Sequence, residues 1–396
     1  MIRITEKQNC CGCTACAQSC PVNAISMITD EEGFYYPKAD EVKCISCGKC
    51  DRVCPIVNPQ EEPHGDRDVY IAQNRDKEIR LDSTSGGVFS ALAQFIIDKG
   101  GFVFGAELDS EFCVQHGQGK TKEDLQRFRG SKYVQSRMGN TFQNIRKILQ
   151  NDQWVLFSGT PCQVAGLHAF LGKDYEKLIL MDIVCYSISS PGVWKQFLEH
   201  LEKTGSVRMG DVERIKFRDK TKFGYEYTLM TFYGKNNKVL YSSGPESNQM
   251  LRSFVSNTAT RPSCYSCQFK GVERVSDFTA WDCYNIYQYD KRMDDNQGSS
   301  HVMVHTEKGK QLISEIEKYL ALQKVDMQKA VASEPALTDS ASPSEQREDF
   351  FRKYRAGEDV FDTFFLDTGR VKIERFLRHS LSKLGIYKYA KRIMKG

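Results

Sequence analysis

The stretch CCGCTACAQSCP occupies residues 10–21, and the stretch CISCGKCDRVCP occupies residues 44–55. In each stretch, two residues separate the first cysteine of the motif from the second and the second from the third. Three residues then precede a fourth cysteine, and a proline follows it directly. This spacing lets three thiolates converge on one corner of a four-iron cubane, while the fourth points elsewhere and binds the other cluster. Two copies with identical spacing predict a small module that folds around two [4Fe–4S] clusters.

The predicted ligand sets cross between the two stretches. They are Cys10, Cys13, Cys16 and Cys54 for one cluster, and Cys44, Cys47, Cys50 and Cys20 for the other. A zinc ribbon is the alternative, but it uses two CxxC pairs rather than two runs of four cysteines. Cys11 breaks the spacing and is interpreted as incidental. The segment resembles a bacterial-type two-cluster ferredoxin, whose chemistry is one-electron transfer.

The composition is that of an ordinary globular protein. Of the 396 residues, 40% are apolar and 27% are charged, and the mean hydropathy is −0.49, which excludes a mainly disordered or collagen-like chain. Nine of the 15 cysteines lie within the first 54 residues. Because residues 1–6 contain no apolar segment typical of a secretion signal, we expect a cytoplasmic protein whose clustered thiols bind metal rather than form disulfides.

Linker signals divide the chain into three parts. The Pro-, Gly- and charge-rich stretch 58–66 indicates a first linker, and the stretch 323–345, which ends in SASPS over 340–344, is interpreted as a second one. Between them, strand-like and helix-like segments alternate, which favours a mixed-sheet α/β domain behind an α+β ferredoxin module. The predicted domains are a two-cluster ferredoxin-like domain at 1–59, a catalytic domain at 68–322 and a helical basic extension at 345–396.

Four further cysteines lie where predicted strands end or turn. Cys162 follows one predicted strand, Cys185 ends the next, and Cys264 and Cys267 form a CxxC pair. The carboxyl ends of the strands in an open α/β sheet meet at one crevice, so thiols distant in sequence can meet there. The residues alone leave two alternatives open: Cys162 and Cys185 as buried apolar residues, and the CxxC pair as half of a zinc knuckle.

Six stretches occur in the order typical of a known family. They span residues 83–93, 130–133, 159–163, 182–185, 264–267 and 276–277. On these residues the chain resembles the coenzyme F420 hydrogenase/dehydrogenase beta subunit family and the related ferredoxin-dependent chlorophyll-pathway reductases. The resemblance implies a domain that binds FAD or FMN and carries a third [4Fe–4S] cluster on Cys162, Cys185, Cys264 and Cys267.

A polar turn before a predicted helix is the candidate binding site for the flavin phosphate. It consists of Ser83, Thr84, Ser85, Gly86 and Gly87. Unpaired amides at a helix N-terminus, hydroxyl donors and the close backbone approach that glycine permits all suit an anion, and the resemblance implies flavin contacts here. The alternative is an ordinary helix cap with a glycine turn.

The resemblance adds five candidates. Lys132 is expected to bond a flavin carbonyl or phosphate, and Tyr133 to stack or donate a proton; a surface lysine and a half-buried tyrosine are the alternatives. Gly159 and Thr160 follow a predicted strand and are expected to meet the cofactor or the substrate. Tyr186 stands where many members of the family have histidine, so we expect it or a neighbour to replace that residue as a general acid.

These features predict a flavin-dependent iron–sulfur oxidoreductase, because flavin exchanges two electrons with an organic partner and single electrons with a cluster. The substrate would be a deazaflavin or another small or lipid-linked molecule, and the electron donor a ferredoxin or a partner subunit. One alternative is an electron-transfer subunit of a larger complex, without its own substrate; another is a zinc-stapled interaction protein. The run 278–283 departs from the family pattern and leaves the substrate open. Cys113 and Cys283 are interpreted as structural.

The C-terminal segment 370–396 holds nine Lys or Arg and one Glu, although the whole chain has a net charge of only +4. Because the basic excess is confined to this segment, we expect no nucleic-acid partner. Its apolar residues include Val371, Phe376, Leu377, Leu381, Leu384 and Ile386. The pattern predicts either an interfacial helix that holds the protein peripherally at anionic lipid or a solvated helix that docks on the core.

Overall fold

In the computed structural model, which describes residues 2–59 and 65–395, each N-terminal cysteine run contains one short helix. Each helix follows a residue with positive φ, Thr14 at 71° and Gly48 at 66°, and an antiparallel hairpin lies between the two runs. The elements are α1 (Ala15–Ser19), β1 (Ile25–Thr29), β2 (Tyr35–Ala39) and α2 (Lys49–Arg52). This α+β arrangement confirms the ferredoxin-type module that the spacing predicts.

Further strands follow in the rest of the described chain. They are β3 (Asp68–Asn74), β4 (Phe102–Leu108), β5 (Val114–Gly119), β6 (Val155–Gly159), β7 (Leu178–Ile183), β8 (Arg214–Asp219), β9 (Leu229–Tyr233), β10 (Val239–Ser243), β11 (Phe278–Asp282), β12 (Ser300–Val304) and β13 (Leu320–Val325). Among the described residues, eight strands form one sheet in the order β13-β3-β12-β11-β7-β6-β4-β5, and β10-β9-β8 form a small antiparallel sheet.

The centre of the large sheet is parallel. Strands β4, β6, β7 and β11 run in one direction, whereas β5, β12, β3 and β13 add antiparallel edges. A strand covered by helices on both faces is apolar along its whole length, and Val155, Leu156 and Phe157 of β6 are accordingly buried. The mixed-sheet α/β prediction is therefore confirmed, and the carboxyl ends of β6, β7 and β11 lie at one edge.

Helices pack on both faces and continue to the C-terminus of the described chain. They are α3 (Lys77–Asp82), α4 (Val88–Asp98), α5 (Leu125–Phe128), α6 (Thr141–Gln150), α7 (Pro161–Leu171), α8 (Pro191–Lys203), α9 (Gln249–Val255), α10 (Glu307–Ile316), α11 (Met327–Ala332), α12 (Arg347–Arg355), α13 (Gly369–Lys383) and α14 (Tyr387–Lys395). The first turn of α7 is fixed by a capping box between Thr160 and Gln163, with Pro161 as the first helical residue.

The N-terminal module and the C-terminal helices share a core with the larger domain. Phe34 of the module and Phe350 of α12 are fully buried in the same cluster as Trp194 of α8. Beside this cluster, the Arg347 guanidinium donates two hydrogen bonds to the Glu32 carboxylate, at 3.1 and 2.5 Å. The packing therefore holds the cysteine runs in a defined place against the sheet.

The linker predicted over 323–345 is wrong for much of its length. Strand β13 extends to Val325, and α11 follows it directly. Ala330 and Leu337 are fully buried against Trp281, so a few widely spaced apolar residues anchor this polar segment to the sheet. In the first predicted linker, residues 60–64 lie outside the described residues. Within the described chain, the helices are too short or too polar to cross a bilayer.

Candidate functional site

The eight N-terminal cysteines of the two predicted ligand sets line two separate cavities. Cys10, Cys13, Cys16 and Cys54 line the first of these, which we call the proximal site. The second, the distal site, is lined by Cys20, Cys44, Cys47 and Cys50. The structure therefore groups the thiols in the crossed pattern that the spacing predicts, with one cysteine of each run in the other run's site.

The surroundings of these thiols suit a bound cluster. Backbone amides point at sulfur in the distal site, where Ala24 N–H donates to Cys20 Sγ at 3.2 Å and Ile2 N–H donates to Cys50 Sγ at 3.3 Å. In the proximal site, burial raises the pKa of Cys16, and the nearby thiols of Cys10 and Cys54 raise it further. Thiolates packed so closely require a bound cation or cluster to remain ionised.

Cys162, Cys185, Cys264 and Cys267 converge on a third cavity, which we call the junction site. Burial raises the pKa of the Cys264 thiol to about 12, and Cys162 and Cys267 add to this effect by proximity. The pKa of Cys185 is raised well above its usual value by burial first and then by the other three thiols. Four mutually close, half-buried cysteines form a donor set that can hold an iron–sulfur cluster.

Topology and hydrogen bonds position these four thiols. Cys162 lies in the first turn of α7 directly after β6, and Cys185 follows the adjacent parallel strand β7. Lys270 Nζ donates to Cys185 O at 2.7 Å. The 3₁₀ turn Pro262–Ser266 carries Cys264, whose carbonyl accepts from Ala341 N–H at 3.2 Å. The segment predicted as a second linker therefore supports the junction site.

Cys11 and Arg261 lie between the proximal and junction sites. The Cys11 thiol lines the junction cavity and lies close to the thiols of Cys13 and Cys162. The buried Arg261 donates from Nε to Cys10 O at 2.9 Å, and its guanidinium lies 3.9 Å from the centre of the Tyr36 ring. Its Nη2 has no hydrogen-bond partner among the described residues.

A larger cavity of about 350 Å³ opens at the carboxyl ends of the parallel strands. Its lining includes the sequence-predicted candidates Ser83, Thr84, Ser85, Gly87, Lys132, Tyr133, Gly159, Thr160 and Tyr186. Gly86 does not line it: its N–H donates to Ser300 Oγ at 2.8 Å, and a Cβ at this position would clash with Ala72 O. Gly86 is required for close packing of the turn on the sheet.

The polar turn 83–87 is held in place before α4. Gly87 adopts a φ of +84° as the residue before the helix, and Thr84 Oγ1 accepts from Ser131 N–H at 2.7 Å. The buried Lys220 donates to the carbonyls of Arg80 and Ser85, at 2.6 and 3.0 Å. A fixed turn with hydroxyls at a helix N-terminus is suited to a phosphate.

The structure gives Lys132 a role other than the expected flavin contact. Its Nζ donates to the carbonyls of Ala106, Arg127 and Arg129, at 2.7, 3.0 and 3.1 Å. An ammonium group has three protons to donate, and all three are directed at the backbone here. Burial also lowers the pKa of Lys132 to about 7. Lys132 therefore holds the loop that forms one wall of the cavity.

The two predicted tyrosines contribute aromatic surface. Tyr133 stacks on Phe254 with ring centres 4.5 Å apart, and burial raises its pKa. Tyr186 is 39% exposed; its hydroxyl donates to Val255 O at 3.0 Å and accepts from Asn257 Nδ2 at 3.1 Å. Of the two tyrosines, Tyr186 is the more exposed to solvent.

Sequence reasoning missed a buried ion pair in the cavity wall. Arg218 Nη1 donates to Asp282 Oδ2 at 2.6 Å, and Tyr225 Oη donates to Asp282 Oδ1 at 2.7 Å. Although burial opposes the charge on Arg218, Asp282 and Tyr284 raise its pKa well above the usual value. Asp282 ends β11 at the same edge of the sheet as Cys185. Its position at the end of a strand was the sequence signal that could have marked it as a residue of the site.

Two family models match the chain. Residues 9–57 match the model of the 4Fe-4S dicluster domain, and residues 152–329 match that of the C terminus of the coenzyme F420 hydrogenase/dehydrogenase beta subunit. A similar solved chain belongs to the F420-reducing [NiFe] hydrogenase complex from Methanosarcina barkeri; the similarity has 15% identity and a TM-score of 0.45 and covers 77% of this chain and 93% of that one. No curated protein matches the sequence.

The fold and the thiol sites thus define an iron–sulfur electron-transfer protein. The domain at 152–329, which contains all four junction-site cysteines, is similar to the C terminus of the coenzyme F420 hydrogenase/dehydrogenase beta subunit. The 4Fe-4S dicluster domain precedes this domain in the same chain and includes the eight cysteines of the proximal and distal sites.

Proposed function

We propose that this protein is a flavin-dependent iron–sulfur oxidoreductase that passes electrons between its N-terminal clusters and an organic two-electron substrate. The observation that supports this proposal is that Cys185 lines both the junction site and the large cavity. Thr160 and Gln163 are also shared by the two linings. A cluster held at the junction site would therefore lie next to whatever occupies the cavity.

The three thiol sites form a sequence from the surface to the cavity. Cys47 of the distal site is exposed, and beside it Ile45 is 60% exposed, which suits the docking of a ferredoxin or a redox partner subunit. The proximal site follows within the same module, and Cys11 separates it from the junction site. In functional terms, we assign the entry of electrons to residues 1–59 and catalysis to residues 68–322. We assign peripheral attachment to a membrane to the extension 345–396.

The large cavity has the groups expected of a flavin site. Ser83, Thr84 and Ser85 line it beside the N-terminus of α4 and would hold a phosphate, while Tyr133 and Trp281 line its apolar part. Bound flavin, as FAD or FMN, supplies the exchange between two-electron and one-electron chemistry. The ion pair of Arg218 and Asp282 provides fixed charge in the same wall, where polar groups orient a ligand.

The substrate would enter where Tyr186 is exposed. We assign to Tyr186 the delivery of a proton to the substrate, because Tyr186 lines the cavity; its hydroxyl proton, which is donated to Val255 O in the structure, would turn to the bound substrate. The cavity admits a small molecule, or the reactive end of a lipid-linked one, and a deazaflavin is a further candidate of this class. Tyr186→Phe should reduce turnover by roughly 10²-fold, in the range of a general acid, with flavin reduction by the donor unchanged.

The test is reconstitution of anaerobically purified protein with FAD and, separately, FMN, followed by addition of reduced ferredoxin. The proposal predicts about one flavin per chain, bleached by the ferredoxin. The variant Ser83→Asp/Ser85→Asp should lose flavin but keep its iron, because two carboxylates would repel a phosphate. As a matched control, Ser206→Asp/Ser256→Asp, with substitutions outside the cavity lining, should retain flavin. Failure of the unmodified protein to bind either flavin would refute the proposal.

A further inference from the structure

Helices α13 and α14 present opposite kinds of surface to the body of the protein and to solvent. On the body side, Val371 and Tyr387 are buried, and Tyr387 packs in a cluster with Phe223, Tyr227 and Leu229. This contact is the docking interaction that was one of the two alternatives from sequence. It accounts for only one face of the helices.

Three cations of α14 are directed at the body as well. Lys388 and Arg392 pair with Asp294 at 3.4 and 3.1 Å, and Lys391 pairs with Glu226 at 2.9 Å. On a helix that simply covers a core, charged residues face water and apolar residues face inward. Here the charged side of α14 holds the helix to the protein, which leaves Tyr389 and Ile393 on the outside.

The outward face of α13 is apolar at helical spacing. Ile373, Leu377 and Leu384 are separated by four and seven residues and are 64%, 52% and 71% exposed, and Phe376 beside them is 69% exposed. With 3.6 residues per turn these side chains form one stripe. Next to this stripe, the exposed apolar residues of the α14 region are Ile386, Tyr389 and Ile393.

Cations border this stripe. At 100° per residue, Lys372 and Lys383 lie along one side of it and Arg370 along the other, and all three are exposed. An apolar stripe flanked by cations complements the surface of an anionic bilayer, where acyl chains lie beneath negative headgroups. A second copy of this chain is a poorer fit, because a symmetric contact would bring the two cationic borders together.

We propose that α13 and α14 bind the protein peripherally to an anionic lipid bilayer, with Ile373, Phe376, Leu377 and Leu384 inserted among the acyl chains. The docking ion pairs of α14 would keep the body at a fixed orientation on that surface. This inference does not depend on the proposed flavin chemistry, since none of these residues lines the thiol sites or the large cavity.

The test is co-sedimentation of the full-length protein with vesicles of phosphatidylcholine alone or mixed with phosphatidylglycerol. We expect binding to the mixed vesicles that weakens as salt increases. Phe376→Ser/Leu377→Ser should lower the partition constant at least tenfold, in keeping with the apolar area removed. The matched control is Val239→Ser/Val255→Ser, which changes valines that are 54% and 58% exposed elsewhere and should leave binding unchanged.

A charge variant separates the electrostatic contribution from the apolar one. Lys372→Glu/Lys383→Glu should abolish the preference for phosphatidylglycerol, whereas Lys235→Glu/Lys238→Glu, at exposed positions near a distant hairpin turn, should not. Iron content and thermal unfolding should match the unmodified protein in every variant. Three results would overturn the inference: no binding to mixed vesicles, equal binding by Phe376→Ser/Leu377→Ser, or lipid-free self-association that this variant abolishes.

Discussion

The two N-terminal thiol sites and the junction site hold the same number of cysteines but are specified in different ways. The ligands of the proximal and distal sites all lie between residues 10 and 54, and their spacing within each run fixes their geometry. The four thiols of the junction site extend from Cys162 to Cys267. The adjacent parallel strands β6 and β7 place Cys162 and Cys185, and the 3₁₀ turn Pro262–Ser266 brings Cys264 to them. Local spacing specifies the first kind of site, and sheet topology specifies the second.

The largest expected effect comes from removing one thiol of the junction site while the proximal and distal sites stay intact. Cys264→Ser should reduce iron from about twelve to about eight atoms per chain, because one four-iron cluster is lost. Reduced ferredoxin should still reduce the N-terminal clusters, but bleaching of the flavin should slow by at least 10²-fold. The measurement is iron and sulfide quantitation together with stopped-flow absorbance.

Cys11→Ser is the matched control for this variant. Cys11 lines the same cavity as Cys264 but belongs to neither crossed ligand set, so its substitution should leave about twelve iron atoms. Loss of four iron atoms in Cys11→Ser, together with full iron in Cys264→Ser, would mean that the junction ligands are wrongly assigned.

A smaller effect, on the free energy of unfolding, is expected where helix α7 packs against the proximal site. Gly166 lies one turn after Cys162 on α7, and a Cβ at this position would come within 2.8 Å of Cys13 Sγ in the proximal site. Gly166→Ala should therefore destabilise the protein by about 1–3 kcal/mol through overpacking, although alanine favours a helix by about 1 kcal/mol over glycine. Denaturant unfolding of the anaerobic protein measures whether the free energy of unfolding falls or rises.

The control is Gly369→Ala, because a Cβ at that position in α13 would meet no atom within 4 Å among the described residues outside its own chain neighbours and helix backbone. It should leave the free energy of unfolding unchanged or slightly raised. If Gly166→Ala proves as stable as Gly369→Ala, α7 does not press on the proximal site, and the two sites are less closely joined than the structure indicates.

The smallest effect should come from the cation between the sites. Arg261 is buried beside Cys10, and its positive charge favours the reduced form of nearby clusters. Arg261→Gln should lower the reduction potential of a neighbouring cluster by about 60 mV, which changes a one-electron equilibrium constant tenfold. Arg261→Lys keeps the positive charge, so the potential should stay close to that of the unmodified protein. Redox titration followed by electron paramagnetic resonance measures both; equal potentials in all three proteins would contradict this role.

The sequence predicts features that depend on local spacing better than features that depend on packing. The crossed N-terminal thiol sets, the mixed sheet and the polar turn before α4 follow from residue patterns. Lys132 was expected at the flavin, but backbone carbonyls take all of its donors. Cys11 and Asp282 gave weak signals, because Cys162 and Arg218, which they meet in the fold, are distant from them in the sequence.

The predicted linker failed for a related reason. Its composition is polar, and only Ala330, Leu337 and a few neighbours anchor it to the sheet. That anchoring matters to the site, since Ser340 Oγ accepts from Cys267 N–H at 3.0 Å. Composition describes what a segment is made of, but tertiary contacts with a distant strand decide whether it is part of the domain.

Anomalous X-ray scattering at the iron edge, from crystals grown without oxygen, would locate the iron at each thiol site. We expect three four-iron peaks, the third enclosed by the sulfurs of Cys162, Cys185, Cys264 and Cys267 beside the large cavity. Two peaks confined to the N-terminal module, or a third peak held by other residues, would contradict this expectation.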